Sequence, residues 1–103
     1  MSEPMRIRAT LQGDVADVRI LMRHPMETGL RKDAQGQIVP VHFIQNVTVA
    51  HNGKPVLNAQ WGPAIAKNPF LSFKFKGGAK GDKIEITWVD SRGEKRTDEA
   101  VIA

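Results

Sequence analysis

The chain has 103 residues, 15 Lys and Arg against 11 Asp and Glu for a net charge of +4, 41% hydrophobic residues and no cysteine. That length fits one compact domain, residues 1–103, and the balance fits a folded globular chain. Disulfide scaffolds, thiolate zinc sites, iron–sulfur clusters and cysteine nucleophiles are excluded together.

No stretch approaches the roughly 18 uninterrupted apolar residues of a membrane-spanning helix. The start, Met1 to Arg8, lacks the apolar segment of a secretory signal, so no export signal of its own is expected. In Arg6–Leu11 the residues Ile7, Ala9 and Leu11 alternate with Arg6, Arg8 and Thr10. Ala16–Arg23 repeats the pattern, with Ala16, Val18, Ile20 and Met22 on the inner side. A period of two predicts strands with one solvated face.

A long irregular stretch, His24 to Gln37, follows. The apolar run Val39–Ala50 comes next, with Phe43 and Ile44 adjacent. That break in alternation predicts either a bulge or cover on both faces. Asn52-Gly53 suits a tight hairpin, with Lys54–Gln60 returning as its second arm. The second irregular stretch is Trp61 to Pro69. Beyond it, Phe70–Lys76 and Lys83–Trp88 alternate again, burying Leu71, Phe73, Phe75, Ile84, Ile86 and Trp88. Gly77–Asp82 reads as a hairpin connector, and Asp90–Gly93 as a turn into a last strand within Glu94–Ile102. About seven short strands and no helical period predict an all-β, antiparallel, immunoglobulin-like sandwich without a disulfide.

Chemistry is sparse. His24, His42 and His51 lie in different segments without metal-ligand spacing, so surface or capping roles are the default and no metal or cofactor is expected. His24 and Glu27 form the only close acid–base pair in a loop, which keeps a small enzyme as the weakest option. No serine sits in a nucleophile elbow, and the glycine-rich Gly77–Gly81 leads into a strand, not a helix. The basic residues are scattered and alternate with apolar ones, as on a solvated sheet face, although a positive field favours acidic partners. Aromatics at 6%, mostly on inner rows, argue against nucleic-acid binding. The residues thus describe a small binding module without visible catalytic machinery. An adhesion or carbohydrate-binding sandwich is one version of that.

The two irregular stretches and the run between them carry a resemblance. His24-Pro25-Met26-Glu27-Thr28-Gly29, Ile38 to Ile44, Trp61-Gly62-Pro63 with Lys67-Asn68-Pro69, and the ending Trp88 to Gly93 resemble the SoxZ family, the Z subunit of the bacterial sulfur-oxidation (Sox) carrier complex. The likeness runs from about Met5 to Ile102. It implies an immunoglobulin-like, non-catalytic, periplasmic subunit paired with a Y subunit. That partner bears the sulfur-carrying cysteine on a mobile arm, and its export signal serves both chains. It also implies transient contact with Sox enzymes, and neither nucleic acid nor membrane as partners. His24, Met26, Glu27, Thr28, Arg31, Trp61, Lys67 and Asn68, all in the irregular stretches, are the expected partner contacts. Trp61 has the alternative of tucking under its own loop.

Overall fold

Residues 3–62 and 64–103 are described in the computed structural model. Seven strands form: β1 (Arg6–Gln12), β2 (Val15–Leu21), β3 (Ile44–His51), β4 (Lys54–Gln60), β5 (Phe70–Lys76), β6 (Lys83–Asp90) and β7 (Lys95–Val101). They make two antiparallel sheets, ordered β1-β2-β5 and β4-β3-β6-β7. No helix occurs among the described residues. The immunoglobulin-like sandwich that the alternation predicts is the fold.

The inner rows meet as their period requires. Ala16, Val18 and Ile20 of the first sheet, with Met22 just beyond it, are fully buried against Val47, Val49, Ile84 and Ile86 of the second, with Trp88 at one end. Trp61 is half-buried and packs against this core from its loop. Burying a side chain of this size stabilises by about 1.5–3 kcal/mol, so these rows dominate the fold's stability. Asn52 and Gly53 both take positive φ (48° and 86°), the conformation of a tight hairpin turn.

Of three local expectations, two change and one is met. The run from Val39 is not all strand: β3 begins at Ile44, because His42 is drawn off to pair with Glu27 across the loop. The register against β6 shifts between Ile44 and Asn46, which is the bulge that adjacent Phe43 and Ile44 require. Gly77–Asp82 is not a hairpin connector, since β5 and β6 belong to different sheets and this segment crosses between them. It passes close to the core, where a Cβ on Gly78 would lie 3.1 Å from the Ala16 Cβ.

The two lateral sides of the sandwich differ. On one, Ala103 bonds to β1 through Ala9 O and Leu11 N, and the Met5 amide donates to Asp98 at 3.0 Å. On the other, β4 and β5 are edge strands whose inner side chains, Leu57, Ala59, Leu71, Phe73 and Phe75, stay half-buried.

Candidate functional site

The residues that stood apart in the sequence converge at one end of the sandwich, around the carboxylate of Asp90. Asp90 is the last residue of β6 and is 1% exposed. Its Oδ1 accepts from the backbone N–H groups of Arg92 (3.0 Å) and Glu94 (2.9 Å), which closes the turn into β7. Its Oδ2 lies 3.1 Å from His24 Nε2 and 2.7 Å from His42 Nε2. Four partners use the lone-pair capacity of a carboxylate.

His24 sits just beyond β2 and is 3% exposed. Its Nδ1 accepts from the Met26 amide at 3.1 Å, which requires the proton on Nε2, where it donates to Asp90. Met26 reaches that position with a φ of 49°, and its sulfur accepts from the Ile44 amide at 3.3 Å. Gly29 of the same loop has φ +84°, and a Cβ there would lie 2.5 Å from Val41 Cγ2, so only glycine fits. The second loop is clamped to the first. The His24 amide donates to Asn68 Oδ1 at 3.1 Å, and the Asn68 amide donates to the His24 carbonyl at 2.9 Å. The His24 ring also meets His42 at 4.5 Å and stands edge-to-face with Trp88 at 5.2 Å.

Burial pushes the His24 imidazole below its ordinary value, and the bond to Asp90 offsets only part of this. For Asp90 burial is the largest influence and acts upward. The bonds from His24, His42 and the two amides together outweigh it and hold the carboxyl below the usual range. Both shifts favour the hub with His24 neutral and Asp90 ionised.

His24, His42 and Asp90 bring their ligand-type atoms within 4.8 Å of one another, the spacing of a metal-binding trio. A metal on His24 Nε2 would need the proton on Nδ1, where it would face the Met26 N–H. The donor set therefore fits a proton-bonded hub better than a metal site. His51 takes no part. It lies seven residues along β3 from Ile44, the ladder partner of Asp90, roughly 23 Å by strand rise, and bonds Asp82 at 2.7 Å.

Above the hub lies a cleft of about 410 Å³, lined by Arg23, His42, Lys67 and Asn68, with Glu3 and Glu94 also on its walls. Trp88 lines it too, and its Nε1 has no acceptor among the described residues. Of the expected partner contacts, His24, Lys67 and Asn68 surround this cleft. The side chains of His24 and Met26 are buried, 3% and 5% exposed. The Glu27 carboxylate is gripped by the Arg31 guanidinium at 2.9–3.1 Å, which lowers its pKa. Thr28 and Arg31 are exposed, whereas Trp61 and Asn68 are half-buried. His24 and Glu27, the acid–base pair suggested by proximity in sequence, have separate partners. Sequence reading missed Asp90, and its signal was its place directly before a Ser-Arg-Gly turn, where a carboxylate can bond the amides ahead.

The family model for the sulphur oxidation protein SoxZ matches residues 5–101. The chain belongs to the SoxZ family. No curated protein matches it. Among solved structures, it is similar to a superoxide reductase in its oxidised state, with 15% identity, 99% of this chain and 89% of that chain covered, and a TM-score of 0.66. The superoxide reductase from Nanoarchaeum equitans is 15% identical, with 97% and 92% covered and a TM-score of 0.66. The superoxide reductase (neelaredoxin) from Ignicoccus hospitalis is 15% identical, with 98% and 80% covered and a TM-score of 0.62. At such identity these likenesses show a shared fold. In this SoxZ chain the two irregular loops are laced to the sandwich through Asp90, His24 and Asn68.

Proposed function

We propose that this SoxZ chain is the non-catalytic subunit of a periplasmic sulfur-carrier heterodimer. It pairs with a cysteine-bearing Y subunit and helps present the sulfur-loaded arm to Sox enzymes. The observation that carries this reading is the family match over residues 5–101. Two features support it. The chain has no cysteine that could exchange with a carrier thiol. Its most enzyme-like cluster, His24, His42 and Asp90, is occupied by bonds within the chain. The loop residues Thr28, Arg31, Trp61, Lys67 and Asn68 are assigned to partner contact on this reading.

Co-expression with the Y subunit, affinity capture on this chain and intact-mass measurement test the pairing. A stoichiometric complex whose second chain carries an arm cysteine is expected. Failure to assemble, or turnover of thiosulfate by this chain alone, would overturn the proposal.

A further inference from the structure

The outer face of the β1-β2-β5 sheet carries Arg6 and Arg8 from β1, Arg19 from β2, and Lys74 and Lys76 from β5. Its one carboxylate is Asp17, which is 6% exposed and lies 3.4 Å from Arg19. Five cations against one carboxylate give this face a surplus that matches the net +4 of the whole chain. Arg6, Arg8, Lys74 and Lys76 pair with no carboxylate among the described residues.

The opposite face is arranged differently. There Lys83 bonds Glu99 at 3.0 Å and feels Glu85 beside it, and Thr87 bonds Thr97 at 2.9 Å.

Two further features of the basic face have no folding benefit. Arg8 stands directly opposite Arg19 in the ladder, a like-charge pairing that destabilises a sheet. Phe70 is 61% exposed, although the same ladder aligns it with Leu21 and Arg6. Arg6, Arg8, Arg19, Leu21 and Phe70 line one shallow depression. Arginine and aromatic side chains are the types enriched at protein interfaces, and a guanidinium binds a carboxylate with two parallel bonds.

We infer that this face is a docking surface for an acidic protein patch, with carboxylates meeting Arg6, Arg8 and Lys74 and an apolar side chain resting on Phe70 and Leu21. The apolar pair Leu21 and Phe70 in the end row and the buried Asp17 carboxylate favour a protein over a phosphate polyanion. Strand dimensions give the face an extent of roughly 23 by 14 Å. That is well short of the ~800 Å² per partner of a standard stable interface. Small and charge-rich, it suits brief, fast, salt-sensitive encounters. Resting on the carrier reading above, the visitors are the enzymes that load and unload the complex, and the permanent partner lies elsewhere.

The test is an NMR titration of the isotope-labelled full chain with a short synthetic peptide of glutamates and aspartates around one tryptophan. It is repeated on the complex with the Y subunit, and a short DNA duplex serves as competing polyanion. The peptide should shift amides of β1, β2 and β5, and raised salt should weaken it. Arg8→Gln with Phe70→Ala should weaken binding about tenfold, while Lys83→Gln leaves it unchanged. Arg19 is kept, because its loss would leave Asp17 buried without a counter-charge.

Absent shifts, shifts confined to the other sheet, or equal binding by the double variant would overturn the proposal. Tighter binding of the duplex would overturn the choice of a protein ligand. Loss of the shifts in the complex would place the permanent subunit here instead of a visitor. The titration of the free chain involves no sulfur chemistry, so failure of the carrier reading leaves its result standing.

Discussion

The Asp90 hub and the outer face of the β1-β2-β5 sheet handle charge in opposite ways. At the hub, a buried carboxylate meets two imidazoles and two backbone amides, and its bonding capacity is used inside the chain. On the sheet face, four cations are left without carboxylate partners, and one arginine opposes another across the ladder. The contrast teaches that residue type alone misleads. Histidines and an aspartate look like chemistry, yet here they hold two loops to the end of a sandwich. Alternating arginines look like plain solvated surface, yet strand pairing gathers them into one uncompensated field.

The comparison can be broken most forcefully at Asp90. Asp90→Ala should destabilise the fold by about 3–5 kcal/mol, the usual effect of breaking a buried charged network, measured by urea unfolding. A loss no larger than that of an ordinary surface change would mean that the hub does not tie the loops down.

A smaller effect should follow acidification. The His24 pKa is lowered by burial, so the unfolded chain takes up a proton more readily than the folded one. Its stabilising contribution is therefore complete above the ordinary histidine value of 6.5 and is lost as pH falls from there through the lower folded value. Urea midpoints measured from pH 8 to pH 5 should decline, and His24→Gln should flatten the decline. A midpoint that rises on acidification would contradict the neutral His24 assignment.

The smallest expected effect sharpens the other side of the comparison. Arg8→Gln removes a like-charge pair and should raise stability by a few tenths of a kcal/mol. The same change should slow association with an acidic partner. Opposite signs for stability and binding are what an uncompensated docking residue gives. A variant less stable than the parent would show that Arg8 supports the fold.

Much of the fold was legible in the sequence because strand faces alternate with a period of two. Ile84, Ile86 and Trp88 could be placed inside before any partner strand was known, and Phe43 beside Ile44 pointed to a bulge or to cover on both faces, of which the bulge is found. Sheet membership was not legible. Gly77–Asp82 has the composition of a hairpin link, and only the packing of β5 and β6 in separate sheets makes it a crossing. The hub was hidden for a related reason. Asp90 lies 66 positions from His24 and 48 from His42, and no local pattern encodes such contacts. His24 read as a surface or capping residue. Its Nδ1 does cap a loop amide, but the ring is buried. The basic face shows the same limit, because Arg8 and Lys74 are ordinary outer-row residues until β2 brings their strands together.

The central claim is that this chain serves a sulfur carrier without performing its chemistry. Among the hub residues, His42 is the most accessible from the cleft, with its side chain 15% exposed, and would be the natural proton donor or acceptor if the claim failed. The most direct measurement is thiosulfate-dependent turnover of the complex reconstituted with the Y subunit and the Sox enzymes, comparing the parent chain with His42→Gln at equal amounts of folded complex. The account predicts rates within about twofold of each other and an unchanged pH profile. A loss of about a hundredfold or more, the scale of a missing general acid or base, would contradict it.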